Sequence, residues 1–410
     1  MRGKTWVPSD QTRVAAKKVS VPVSTVRDPR LDFYRGIAMF IILLAHTPGN
    51  WWTLWIPARF GFSDATEIFV FCSGMASAIA FGGSFLRHGW WVGTARVLYR
   101  VWQVYWAHIG LFFTVAFTLA FIDGLELFKK SYVGSLNLLP FFKNTGDNLV
   151  GLMTLTYVPN YFDILPMYLV ILAMLPVVML LARVSLWAVA AAVTATWFIT
   201  NLGYLDLPAE PWSERGWFFN PFGWQLVFFT GFAFMAGWLP KPPINKTLVY
   251  AAVAILLVSL PLSSWKFISW VSAVIPDLKS TLVANMKDLR SISPKTDMGF
   301  LRYIHFLALA YLGYVIAGDG GSRLIAHGTS RAQLVWAWLV KQITKVGQQS
   351  LAVFVFSMAF ARLLGFAYDQ IGRNFFTMTI GNLIGFALLI AVAYSVAWFK
   401  SQPWRKKAVS

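Results

Sequence analysis

Apolar stretches long enough to cross a bilayer recur from near residue 33 to near residue 399, separated by short basic or Gly/Pro-containing breaks. A helix rises about 1.5 Å per residue, so about 20 predominantly apolar residues span the hydrocarbon core. On that measure the pattern predicts an all-α, polytopic integral membrane protein with about ten transmembrane helices. The predicted spans cover residues 33–55, 62–85, 101–122, 163–181, 185–202, 222–239, 247–264, 301–318, 346–367 and 376–399. Pro48-Gly49-Asn50 interrupts the first ahead of the interfacial pair Trp51-Trp52. Ser63 or Asp64 is placed to cap the second.

The polar intervals divide the chain further. Residues 123–162 are too long for a simple connector and read as a functional loop or a partly re-entrant one. Residues 203–221 form an outer aromatic loop, and residues 266–300 are polar and helical in places. In the basic stretch from Arg323 to Lys345, apolar residues 334–340 are expected on the surface. This leaves a flexible basic tail at 1–29, a transmembrane domain at 30–400 and a basic tail at 401–410. An even number of spans puts both termini on one side. Lys and Arg concentrate in the tails, at Arg87, Arg96, Arg100, Arg183, Lys241 and Lys246, and in 323–345, so that side is cytoplasmic. Residues 266–300 are the basic exception outside, partly cancelled by Asp277, Asp288 and Asp297.

Composition agrees with this class. Only 13% of residues are charged, against about 25% in soluble chains. The net charge of +18 is accounted for by cytoplasmic loops facing anionic lipid, so no nucleic-acid partner is invoked. A single cysteine, Cys72, excludes an intrachain disulfide and a multi-cysteine metal site. No phosphate-cradling G-x-x-x-x-G-K-[ST] occurs, no His pair has zinc spacing, and no His is followed five residues on by Asp. No metal and no permanently bound cofactor is expected.

What remains is one histidine deep in the first apolar run. His46 lies eleven residues after Arg35, close to three helical turns, so the two share a face about 16 Å apart. An ionisable group at that depth is costly and marks a functional site by default; the competing reading is a histidine hydrogen-bonded between packed helices. Asp64 and Glu67 are three apart on one face of the second span, where either can orient the imidazole or simply cap the helix. Asp32 is read as a local partner of Arg35 or Arg30, and Cys72-Ser73-Gly74 as helix packing. Arg302, His305 and Arg362 lie in or near spans as possible anion ligands, whereas His88, His108 and His327 fall at interfaces or loops.

These residues also carry a family resemblance. Asp32-x-x-Arg35-Gly36 with His46, followed by Glu67-Ile68-Phe69-Val70-Phe71-Cys72-Ser73-Gly74, resembles the opening of the acyltransferase-3 superfamily. Four further pieces resemble the OpgC-type family, membrane succinyltransferases of osmoregulated periplasmic glucans. They are Arg27-Asp28-Pro29-Arg30-Leu31-Asp32, Phe62-Ser63-Asp64-Ala65-Thr66-Glu67-Ile68-Phe69-Val70, Asp163-Ile164-Leu165-Pro166-Met167-Tyr168 and Phe219-Asn220-Pro221-Phe222-Gly223-Trp224-Gln225. The resemblance spans about residues 27–400. It implies succinyl transfer from cytoplasmic succinyl-CoA to glucan hydroxyls in a bacterial inner membrane, with His46 as general base. Asp64 and Glu67 join His46 as catalytic candidates. Arg30, Arg35 and Ser73 are expected on the donor side, and Asp163, Trp224, Gln225, Arg302 and His305 around the substrate. The expected partners are the acyl-CoA, the glucan and the bilayer. The alternatives are an O-acetyltransferase of another surface polysaccharide and a transporter of a glycan or acyl donor. A transporter should show paired broken helices, and no second interruption matches Pro48-Gly49.

Overall fold

The computed structural model describes residues 28–127 and 129–405; most of the expected N-terminal tail and residues 406–410 of the C-terminal one lie outside the described residues. Fifteen helices follow in chain order: α1 (Pro29–His46), α2 (Ala65–Ser77), α3 (Gly83–Gly124), α4 (Leu139–Lys143), α5 (Thr145–Thr154), α6 (Ile164–Val184), α7 (Leu186–Asn201), α8 (Pro221–Met235), α9 (Lys246–Ser263), α10 (Trp265–Val274), α11 (Leu278–Asp288), α12 (Phe300–Ala317), α13 (Arg331–Gln348), α14 (Ser350–Ile371) and α15 (Phe375–Ser401). Among the described residues the only β pairing is one isolated bridge, Pro208 to Gly216.

Among the described residues six helical stretches are long and apolar enough to cross a membrane by length and composition. One runs from Ala65 to Gly124, and the others are α6, α9, α12, α14 and α15. α7 and α8 are apolar but shorter. α1 carries Arg30, Asp32 and Arg35 in its first half and ends at His46, well before residue 55. Trp51–Trp55 and Pro57–Arg59 are separate 3-10 turns, the first capped by the Asn50 side chain. The expected break between the second and third spans falls at Gly89, where the backbone leaves helical geometry. A π-helical turn (Ala78–Gly82) joins α2 to α3, and the chain bends inside α3 at Gly89, whose φ of 81° glycine adopts without steric cost. Residues 123–162 hold α4 and α5, and residues 266–300 hold α11 and most of α10.

Packing is closest where small residues let backbones meet. A side chain at Gly74 of α2 would collide with the Phe228 carbonyl of α8, and one at Gly231 of α8 with the Phe71 carbonyl of α2. That contact accounts for Cys72-Ser73-Gly74, all buried. α13 crosses the first half of α1, where Trp336 meets Phe33 at 6.4 Å between ring centroids. Its residues Leu334, Val335, Trp338 and Leu339 are exposed, as the amphipathic pattern predicts.

The start of α1 is tied down locally. Asp28 accepts from the Arg30 backbone N–H at 3.0 Å and from its guanidinium, which also donates to the Gly318 carbonyl at 3.1 Å. Burial pushes the Asp28 pKa up, but the Arg30 hydrogen bonds outweigh it and hold the carboxyl below its ordinary value. Lys400, near the end of α15, donates to Gln349, just beyond α13, at 2.7 Å. The beginning of α1 and the end of α15 therefore lie at one end of the bundle, and His46 lies about 27 Å along α1 from that end.

Candidate active site

His46 closes the last turn of α1. Its Nδ1 lies 2.8 Å from the Ile42 carbonyl oxygen. A carbonyl only accepts, so in the neutral ring Nδ1 carries the proton and Nε2 keeps its lone pair. The ring stands edge-on to Tyr161, with centroids 5.3 Å apart and planes at 78°. Tyr161 donates through its hydroxyl to the Met358 carbonyl of α14 at 2.6 Å, and the Arg362 guanidinium lies 3.9 Å over its ring. Tyr161 itself has φ 89°, a left-handed conformation uncommon outside glycine that costs on the order of 1–3 kcal/mol. The surrounding contacts hold this aromatic ring between the imidazole and a partly buried cation. Arg362 Nε is buried without a hydrogen-bond partner among the described residues.

Tyr161 was not legible as a site residue, since it falls in the interval read as a loop. Its signal was Pro159-Asn160 directly before it and the Phe162-Asp163 start of α6 directly after it.

The acids of α2 do not hydrogen-bond to His46. Asp64 caps α2: it accepts from the Thr66 N–H at 2.7 Å, while its own N–H donates to Glu67 Oε2 at 2.8 Å. Lys295 pairs with Asp64 at 2.5 Å, and Arg302 pairs with Glu67 at 2.6 Å. Of the two readings of these carboxylates, the capping box is the one that forms, and the expected carboxylate support of the imidazole is supplied by a backbone carbonyl instead. His305 is likewise engaged apart from His46, its Nδ1 being 2.7 Å from Ser63 Oγ beside the start of α2.

Asp163, Trp224 and Gln225 come together around the entry to α8 but face inward. Asp163 accepts from the Phe218 N–H at 3.3 Å. Trp224 is fully buried and donates through Nε1 to the carbonyls of Lys295 and Thr296 at 2.9 and 3.1 Å. Gln225 donates to the Val193 carbonyl of α7 at 2.8 Å. Asn220 caps α8 and also holds Asp297 at 3.0 Å. The Phe219–Gln225 motif thus grips the 295–297 backbone and so fixes Lys295 opposite Asp64.

On the other half of α1, Arg35 is partly buried, with Nε unpartnered, and Ser73 is buried nearby on α2. Arg30 is engaged with Asp28. His108, expected at an interface, is instead fully buried within α3 with neither ring nitrogen hydrogen-bonded. Among the described residues no group of three or more His, Cys, Asp or Glu side chains is placed to hold a metal ion.

An all-helical multi-pass membrane protein with a histidine at a helix end, edge-on to the Tyr161 ring that Arg362 covers, is the class that fold and site define. The chain matches the profile of the family described as OpgC protein over residues 27–401 and belongs to that family. Membership points to a membrane acyltransferase with a role in modifying osmoregulated periplasmic glucans. Neither the curated proteins nor the solved structures gave a match.

Proposed function

We propose that the protein moves a succinyl group from cytoplasmic succinyl-CoA to glucose hydroxyls of periplasmic glucan, with His46 as general base, in the bacterial inner membrane and within the acyltransferase-3 superfamily. The observation that carries this reading is the His46–Ile42 hydrogen bond, which leaves Nε2 as the free proton acceptor. In the reaction Nε2 takes the hydroxyl proton as the sugar oxygen attacks the thioester carbonyl carbon. The tetrahedral intermediate then collapses, the C–S bond breaks, and the departing thiolate recovers the proton from the imidazolium. Arg35, eleven residues back on the continuous α1, supplies positive charge about 16 Å from that point, a separation suited to an extended pantetheine arm with its anionic end toward the start of α1. Mass spectrometry of periplasmic glucans from cells with and without the protein tests this. Succinyl-decorated glucan only when the protein is present is expected, and identical glucans in both would overturn it.

A further inference from the structure

A cavity of about 340 Å³ opens beside the start of α2 and is walled on its other sides by the α9–α10 junction and by residues 286–302. Its lining brings Arg290, Lys295 and Arg302 together with a single acid, Asp64. Lys295 is matched by Asp64, and Arg302 by Glu67 behind it. One positive charge, that of the exposed Arg290, is left over. Arg302 uses Nη1 on Glu67, and its buried Nε has no hydrogen-bond partner among the described residues. Among the described residues Arg302 Nη2 has no hydrogen-bond partner either, so the cavity offers an unused guanidinium nitrogen and one excess cation, which a single anionic group satisfies. Its volume is near the small end of ligand cavities, roughly 300–1,000 Å³, which suits a short acyl chain.

We infer that this cavity is a carboxylate subsite for the free carboxyl end of a dicarboxylic acyl group, with Arg302 and Arg290 as its ligands. The inference rests on the acyl-transfer reading and adds to it the selection of acyl group. The cavity opens beside the start of α2, which packs against α1, the helix that ends at His46. An acyl group anchored here by its far carboxylate leaves its thioester end free to face the imidazole, whereas an acetyl group has nothing to anchor.

Two measurements on the full-length protein in detergent test the subsite. Arg302→Lys keeps a cation on Glu67 but removes the second terminal guanidinium nitrogen, and Arg290→Gln alters an exposed residue, so its folding is not at stake. Free succinate is titrated against intrinsic fluorescence, to which Trp265 in the cavity wall contributes, with acetate as control. Succinate binding at least tenfold tighter than acetate, weakened at least tenfold in each variant, is expected. Equal binding of the two acids, or succinate binding unchanged in both variants, overturns the inference. The ratio of succinyl to acetyl transfer from the two coenzyme A donors is the second readout, and it should fall at least tenfold in each variant. An unchanged ratio in variants whose transfer still requires His46 sinks the subsite while leaving the acyl-transfer reading intact. Tight, Arg290-dependent succinate binding without any transfer supports the subsite and removes the acyl-transfer reading.

Discussion

The carbonyl oxygen of Ile42 lies 2.8 Å from Nδ1 of His46, one turn further along α1. This contact settles which imidazole nitrogen holds the proton, a role that an acid partner fills in other histidine sites. Because the acceptor is a main-chain group of the same helix, the arrangement needs no second charged residue beside the base. The Asp64 and Glu67 carboxylates are thereby free to serve the α2 cap and the Lys295 and Arg302 cations.

The ring of Tyr161, rather than its hydroxyl, is expected to matter for His46. Tyr161→Phe keeps the edge-on contact and loses one hydrogen bond to Met358, worth about 0.5–1.5 kcal/mol. Transfer by Tyr161→Phe should stay within about threefold of wild type, with the cost appearing in stability. Tyr161→Ala removes the wall between imidazole and Arg362 and should lower the rate at least about tenfold, as misplacement of a reacting group does. Equal activities for the two variants would show that the ring does not position the base.

For the donor, Arg35→Ala should weaken use of succinyl-CoA more than it disturbs folding. A lost charge-assisted contact typically costs about 1.5–3 kcal/mol, roughly tenfold to a hundredfold in apparent donor affinity. Steady-state kinetics at varied donor, on protein shown to be folded, gives the answer. Unchanged donor dependence moves the donor site away from α1.

How much of this was legible in the sequence depended on whether a residue signals locally. The Asp64 cap, the small-residue contact at Gly74 and the amphipathic α13 were readable because capping, close packing and polar–apolar alternation each leave a short pattern. The end of α1 was readable from Pro48-Gly49-Asn50, and only the extension of the first span to residue 55 overran it, because Trp51–Trp55 is as apolar as the helix it follows. The break after the second span was readable from Arg87, Arg96 and Arg100, and Gly89 supplies it; the π-helical turn at Ala78–Gly82 left no such pattern. Trp224 and Gln225 were placed around the substrate by the family resemblance, and a matching motif does not tell whether its side chains face a ligand or, as here, bond to neighbouring backbone. The Tyr161–Arg362 contact joins residues two hundred positions apart, and no local pattern carries it.

The outer aromatic loop should respond to acid through Glu210. Burial raises its pKa, but hydrogen bonds from Arg215 at 3.0 Å, Ser213 at 2.6 Å and Asn137 at 2.8 Å outweigh this and hold it below its ordinary value. A depressed carboxylate contributes stability above the unfolded value of about 4.3, and loses it as pH falls through the lower folded value. Thermal unfolding midpoints in detergent should therefore drop on acidification more for wild type than for Glu210→Gln, with the two converging at low pH. Parallel curves would assign the acid response elsewhere.

Orientation is open to a labelling test. With both termini cytoplasmic, the α10–α11 region faces the periplasm. In a Cys72→Ser background, a thiol introduced at the exposed Ser280 should react with an impermeant reagent in cells whose inner membrane is intact. Reaction only after the inner membrane is permeabilised reverses the arrangement.

The most direct measurement is the rate of glucan succinylation by His46→Gln in folded, membrane-inserted protein. Glutamine can still donate to the Ile42 carbonyl but cannot accept and hold the proton. Removing a general base costs about 10²–10⁴-fold in rate, so acidic glucan should nearly vanish while protein level and insertion persist. Succinylation by His46→Gln at the wild-type rate would contradict the account and make His46 a packing residue.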